Sequence, residues 1–240
     1  MIWNGGGYNF GDFILPIDAE RIVKKYTDLN IPLQLTCTNP SLAPTDVYDK
    51  YCNSILSIFD NGINEILVSS PYLEDYIRSK YPNYKIDKSI IASEYDYDYN
   101  EALQEYNTVV LARRHGKNFD YLNTISIENR NRVEILCNDP CPENCPKLYS
   151  HYKEFAKVTL YEISPESETI ECKMPFRKKP DWERDTKDMI SIEEIYEKYL
   201  PLNFTEFKLS GRSSYYSVLI SIIPYFIKKE YQFDVLAYLL

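Results

Sequence analysis

The chain has 240 residues, 44% of them hydrophobic, which is enough for a sizeable core in one large domain or two small ones. Its formal net charge of -9 argues against binding to duplex nucleic acid, because that binding depends on Lys and Arg neutralising phosphates. The sequence contains no run of 18 apolar residues, so no transmembrane helix is expected. The N-terminus lacks the basic and apolar regions of a signal peptide. We therefore expect a cytoplasmic protein whose six cysteines are reduced or bind metal.

Apolar runs alternate with segments of helical period along most of the chain. Strands are predicted over 31–38, 64–70, 85–91, 108–112, 132–137 and 204–209. Helices are predicted over 18–29, 45–59 with Thr45 as N-cap, 71–81, 100–106, 117–126, 191–200 and 213–231. This alternation implies a parallel sheet with right-handed crossovers, either a closed (β/α) barrel or an open doubly wound sheet. The polar region 158–190 has no clear period and is predicted to be an irregular excursion.

The segment "ILCNDPCPENCPKLYSHY" (135–152) contains three cysteines and three prolines directly after a predicted strand. The prolines disfavour a helix, so the cysteines lie on a stiff loop at the carboxyl end of a strand, where barrel enzymes have their active sites. Cys141, Cys145 and Cys172, together with Cys37 or Cys137, could form a four-thiolate site. Zinc held by the same thiols, with His151 as an alternative ligand, and buried thiols with no metal remain the competing interpretations.

Polar residues follow several predicted strands and are candidates for contacts with a ligand. Arg113 and His115 follow the strand 108–112, and either could bind an anion. An inward-facing Lys208 would require an anionic partner inside the barrel. The remaining ligand-binding candidates at strand ends are Asn39, Asn138 and Arg212. No catalytic triad or carboxylate pair can be identified, so the catalytic residues are unknown.

Four stretches together resemble the peptidase U32 family. They are "IWNGGGYNFG", "TVVLARRHGKNFDYLNTI", "RVEILCNDPC" and "FTEFKLSGRSSYYSVLISIIPYF", in the same order and with similar spacing as in that family. The resemblance implies a single TIM-barrel-like domain over 1–240, in which the barrel need not be complete. It departs from the family pattern at Ser210 and Arg114, where U32 proteins commonly have glutamate.

Two functions follow from this resemblance. Some U32 proteins are described as proteases. Others take part in oxygen-independent hydroxylation and carry a four-cysteine iron–sulfur cluster. The resemblance therefore implies a 4Fe–4S cluster used in oxygen-independent modification or in peptide hydrolysis, with zinc or no metal as the alternative cofactor states. The second hypothesis is a binding or structural protein that keeps the barrel without metal. The substrate or protein partner is unknown, and no membrane partner is expected.

Overall fold

The computed structural model describes residues 1–4, 14–93, 98–138, 145–161, 189–209 and 226. The strands are β1 (Gln34–Cys37), β2 (Glu65–Val68), β3 (Lys85–Lys88), β4 (Thr108–Val110), β5 (Val133–Leu136) and β6 (Glu206–Lys208). The helices are α1 (Pro16–Asp28), α2 (Lys50–Phe59), α3 (Pro71–Lys80), α4 (Ile90–Ser93), α5 (Tyr99–Glu105), α6 (Phe119–Leu122), α7 (Leu148–Tyr161) and α8 (Ile192–Glu194), with a π-helical turn over Ile195–Tyr199. No helix in these ranges is both long and apolar enough to cross a membrane.

Two compact units make up the chain. The first consists of Met1–Val109 and Pro146–Glu171, and the second of Val110–Cys145 and Cys172–Leu240. The predicted single domain over 1–240 stays a prediction. The predicted helix over 213–231 and most of the predicted excursion lie outside the described residues. At 158–161 the chain is helical, because α7 continues to Tyr161.

In the first unit, β1, β2, β3 and β4 lie side by side in chain order, and each neighbouring pair is parallel. Their register places Leu35 opposite Ile66 and Ile66 opposite Ile86. Helices α2 and α3 cover these strands with buried apolar side chains, among them Cys52, Ile55, Leu56, Leu73 and Ile77. In β2 the consecutive residues Ile66, Leu67 and Val68 are all buried, which is typical of a parallel strand that is covered on both faces.

Local capping determines where the helices of this unit begin. The Asp49 carboxylate accepts a hydrogen bond from Cys52 N at 2.7 Å, so α2 begins at Lys50. The preceding residues Pro44–Tyr48 form a separate 3₁₀ turn. The prediction of one helix over 45–59 with Thr45 as its N-cap is therefore wrong. Pro71 occupies the first turn of α3, where its missing N–H costs nothing.

In the second unit, β5 and β6 are parallel neighbours, and Ile135 lies opposite Phe207. Just past β4, Leu111 N donates to Glu134 O of β5 at 2.9 Å. The buried Arg130 donates from its guanidinium to the main-chain oxygens of Ile125, Asn123 and Leu202 at 2.9, 3.3 and 3.2 Å. These bonds satisfy a charged group that would otherwise be costly to bury.

The predicted fold class is confirmed. The described part of the chain contains six parallel strands separated by helices, which is the arrangement of a (β/α) barrel-like fold. A complete barrel of this kind has eight strands, so the six described strands correspond to an incomplete one.

Candidate functional site

The two cysteines at strand ends are buried. Cys37, the last residue of β1, is fully buried, and the thiol of Cys52 on α2 lies close enough to act on it electrostatically. Burial, and to a smaller extent Cys52, raises the pKa of the Cys37 thiol far above its usual value. Cys37 thus packs against a helix of the first unit.

Cys137 follows β5 and is likewise fully buried. Both main-chain polar groups of Cys137 are hydrogen-bonded, because its N–H donates to Lys208 O at 2.9 Å and its carbonyl accepts from Ile190 N at 2.8 Å. Burial, followed by the charge of Glu134, raises the pKa of its thiol to about 12. Cys137 therefore keeps its proton at neutral pH.

The other predicted metal ligands are described only in part. Cys145 is half-buried in the second unit. His151 is half-buried on α7 in the first unit. Cys141, Cys172 and the candidate ligand-binding residue Arg212 lie outside the described residues. Among the side chains that the structure does describe, no group of three or more His, Cys, Asp and Glu could hold a metal ion. The metal site stays a prediction.

Asn39, just past β1, has its side chain engaged within the first unit. Its amide nitrogen donates to Ile2 O at 2.8 Å and to Ala156 O at 3.3 Å, and its carbonyl oxygen accepts from Ser41 N at 2.8 Å. The residue is fully buried. Asn39 thereby connects the amino terminus, the end of β1 and α7, and these contacts give it a structural role.

A basic 3₁₀ turn, Arg113–His115, follows the carboxyl end of β4. It is closed by hydrogen bonds from His115 N to Ala112 O and from Gly116 N to Arg113 O, both 2.9 Å. The imidazole of His115 stacks on the ring of Tyr121 at a centroid distance of 3.5 Å and an angle of 7°. Gly116 O in turn accepts a hydrogen bond from the Tyr199 hydroxyl at 2.7 Å. The turn is thus held in one shape by the π-helical turn and by α6.

Two lysines near this turn have carboxylate partners in the same unit. Lys117 lies 3.1 Å from Glu194, and Lys208 lies 2.7 Å from Glu134. Burial alone would raise the pKa of Glu194, but hydrogen bonds from Ser191 N, Lys198 and Lys117 outweigh it and lower that pKa. Lys208 thus has a carboxylate partner, as a largely buried lysine requires, and its role in binding a ligand stays a prediction.

Sequence reasoning missed two polar residues at the strands. Glu134 stands between the buried residues Val133 and Ile135, and this alternation places it on the opposite face of β5 from them. Ser69 follows β2, and its buried hydroxyl has no hydrogen-bond partner in the part of the chain that is described. Asn138, which was predicted, is fully buried at the end of β5. Ser69 and Asn138 therefore lie just past the carboxyl ends of their strands, whereas Glu134 lies within β5.

Comparison with known proteins finds a structural match and no sequence match. No family model matches the chain, and no curated protein matches it. A solved structure of the U32 peptidase Mk0906 superposes with a TM-score of 0.52 at 14% sequence identity, covering 87% of this chain and 81% of the other. At this identity the likeness shows the fold alone, and the chain has a U32-like fold.

Proposed function

We propose that this protein is a divergent relative of the U32 family that works as a binding protein and takes an anionic ligand on the basic turn Arg113–His115. The observation that supports this proposal is the turn itself. Three consecutive residues that carry or can carry positive charge lie half-buried at the carboxyl end of β4, in a chain with a net charge of -9. In (β/α) folds this end of the strands is where ligands bind.

The chemistry of the turn fits an oxyanion. A guanidinium presents several donors in a plane and pairs with carboxylate or phosphate through two hydrogen bonds. Partial burial strengthens such a contact, because fewer water molecules compete for it. Lys117 and Lys208 each contact a carboxylate, Glu194 and Glu134 respectively, and are not part of the proposed contact.

Thermal unfolding with increasing inorganic phosphate, and separately with acetate, tests the proposal. A ligand that binds only the folded state raises the melting temperature as its concentration increases. We expect phosphate to stabilise the native protein and Arg113→Gln/Arg114→Gln to lose most of that effect. Lys117→Gln is the matched control, because it removes a neighbouring charge that Glu194 already balances. Equal stabilisation of all three proteins would contradict the proposal.

A second candidate function is an enzyme with a cysteine-ligated iron–sulfur cluster that acts in oxygen-independent modification or in peptide hydrolysis. Cys145 supports it, because it is half-buried and therefore accessible, in a loop that follows β5. Cys37 and Cys137, which the sequence offers as further ligands, are fully buried. The proposed ligands are Cys141, Cys145 and Cys172, with Cys37, Cys137 or His151 as the fourth. Such a cluster would supply electron transfer.

Anaerobic purification with iron, sulfide and zinc analysis tests this candidate. A brown protein with stoichiometric iron and sulfide would support it, and stoichiometric zinc would support the zinc alternative. Cys145→Ser should abolish either metal content, whereas the buried control Cys52→Ser should keep it. A protein that contains neither metal after anaerobic reconstitution would rule this candidate out and leave the anion-binding proposal unaffected.

A further inference from the structure

We infer that the protein self-associates through α1, with the α1 helices of two copies packed antiparallel across a twofold axis near Ile22. The observation is a row of exposed apolar side chains on the first unit. Leu15, Ile22 and Leu29 are 60%, 37% and 51% exposed. They occupy the N-cap position, the middle and the C-cap position of the helix.

The spacing of these residues places them on one line along the helix. They are seven residues apart, and seven residues turn an α-helix by about 700°, only about 20° short of two full turns. Ile22 and Leu29 therefore lie on one line along the helix, and Leu15, whose backbone is extended at the N-cap, stands at the amino-terminal end of that line. One apolar residue in every seven is half of the repeat by which one helix packs along another, and the other half is occupied here by Asp18 and Lys25. In the first unit Ala19 is the buried residue of α1, and the row lies beside it at the edge of the helix, with Ile22 the least exposed of the three.

The row is self-complementary, which favours a second copy over a different protein. In an antiparallel pair with Ile22 opposite Ile22, Leu15 of each copy lies opposite Leu29 of the other. A twofold interface requires this property, because the same patch must fit itself. A partner of another kind places no such requirement on the sequence.

The charges beside the row agree with the same pairing. Asp18 lies in the first turn of α1 and Lys25 in the last, and both flank the apolar row on the same side. The antiparallel arrangement brings Asp18 of each copy beside Lys25 of the other, and parallel packing would place like charges together. In one copy Asp18 contacts Arg21 at 3.6 Å with both side chains largely exposed, a contact that is weak in water and easily exchanged.

The length of the helix sets the expected strength of the dimer. Helix α1 has 13 residues and is therefore about 20 Å long. A single helix pair of this length buries less surface than the roughly 1,200 Å² at the lower end of stable interfaces. The dimer should therefore be a concentration-dependent equilibrium rather than an obligate state.

Sedimentation equilibrium of the full chain over a range of concentrations tests the inference. We expect a reversible monomer–dimer equilibrium, and Ile22→Glu should raise the dimer dissociation constant about tenfold or more. Ile127→Glu is the matched control, because Ile127 is 64% exposed and lies in the second unit. A protein that is monomeric at every concentration, or a dimer that Ile22→Glu leaves intact, would overturn the inference.

Charge exchange tests the antiparallel arrangement separately from folding. Asp18→Lys and Lys25→Glu should each weaken the dimer, and the double variant should restore it, because the opposite charges then face one another in exchanged positions. In a second readout, mild oxidation should cross-link Ile22→Cys across the twofold axis, whereas Ile17→Cys, 61% exposed on another side of the helix, should not exceed the native background. Failure of the double variant to recover would overturn the antiparallel pairing.

Discussion

The ammonium of Lys208 lies 2.7 Å from the carboxylate of Glu134, with only 10% and 17% of the two side chains exposed. The strand register places Lys208 opposite Leu136, so Glu134 is its diagonal neighbour on the same face of the strand pair. Both charges are largely withdrawn from water. In the folded state, each of these two charges is therefore stabilised by the other.

Removing one member of this pair should be costly. Lys208→Met leaves a nearly buried carboxylate without its cation, and we expect the free energy of unfolding to fall by about 2 to 4 kcal/mol. The double variant Glu134→Leu/Lys208→Met should recover much of that loss, because no charge is then left alone. Urea unfolding of both variants measures the effect. The exposed pair of Lys24 and Asp28 provides the control, since Lys24→Met should change little. A single variant as stable as the native protein would contradict the prediction.

Alkaline pH should destabilise the protein before most of its lysines titrate. Burial raises the pKa of Cys52 and Cys137 from 9.0 to about 12 and raises that of Tyr199 well above 10.0. The sign follows from proton binding. Between pH 9 and pH 12 the unfolded chain releases thiol protons that the folded chain retains. The contribution of these thiols to the free energy of unfolding is therefore fully present below pH 9 and is lost as the pH rises.

Circular dichroism and tyrosinate absorbance, recorded together during an alkaline titration, measure this effect. We expect part of the tyrosine absorbance change to coincide with unfolding, because buried hydroxyls ionise only when they are exposed. Tyr199→Phe removes one such group and also the 2.7 Å hydrogen bond to Gly116 O. It should lower stability at neutral pH by about 1 kcal/mol and reduce the decline above pH 10. Independent, fully separate tyrosine ionisation and unfolding transitions would contradict the prediction.

The thiols should differ strongly in reactivity. Cys145 is half-buried, whereas Cys37, Cys52 and Cys137 are fully buried. Because the thiolate is the reactive form, alkylation of the native protein at neutral pH should modify Cys145 much faster than the three buried thiols. Peptide mass spectrometry after a timed pulse measures this, with the urea-unfolded protein as the control in which all four react. Early modification of Cys37 would show that β1 ends in an accessible thiol.

The sequence predicted the strands and helices well where local patterns decide them. It predicted strands over 64–70 and 108–112, and the structure has β2 over Glu65–Val68 and β4 over Thr108–Val110. The break between Tyr48 and α2 could not be predicted, because Thr45 and Asp49 are both good N-caps. A distant contact favours the break, since the Trp3 indole donates to Asp46 O at 2.8 Å and fixes the 3₁₀ turn.

The sequence predicted the types of residue at the candidate site better than the directions in which their side chains point. The sequence indicated that a buried Lys208 would need an acid, but choosing Glu134 requires the register between β5 and β6. A cysteine at the end of a strand can face either the ligand side or the helices, and one position of alternation decides which. Cys37 lies beside Cys52 of α2, and nothing in its neighbouring sequence distinguishes that placement from the opposite one.

Asn39 should be essential for stability rather than for ligand contact. Asn39→Ala removes three side-chain hydrogen bonds and leaves Ile2 O, Ala156 O and Ser41 N without them in a buried setting. Unsatisfied buried groups cost about 1 to 3 kcal/mol each, although relaxation and water entry recover part of it, so we expect a loss of roughly 2 to 4 kcal/mol.

Urea unfolding with Asn83→Ala as the control measures this loss, because Asn83 is exposed and makes one long hydrogen bond of 3.3 Å to Asp60. Asn39→Asp should be at least as harmful as Asn39→Ala. Its carboxylate keeps the acceptor for Ser41 N but replaces the amide donor with an oxygen facing two carbonyls, and burial makes that repulsion stronger. Protonating the introduced carboxylate restores one donor, so the Asn39→Asp variant alone should gain stability relative to the native protein as the pH is lowered. If Asn39→Ala unfolds at the native midpoint, the connection between the amino terminus, β1 and α7 does not depend on this side chain.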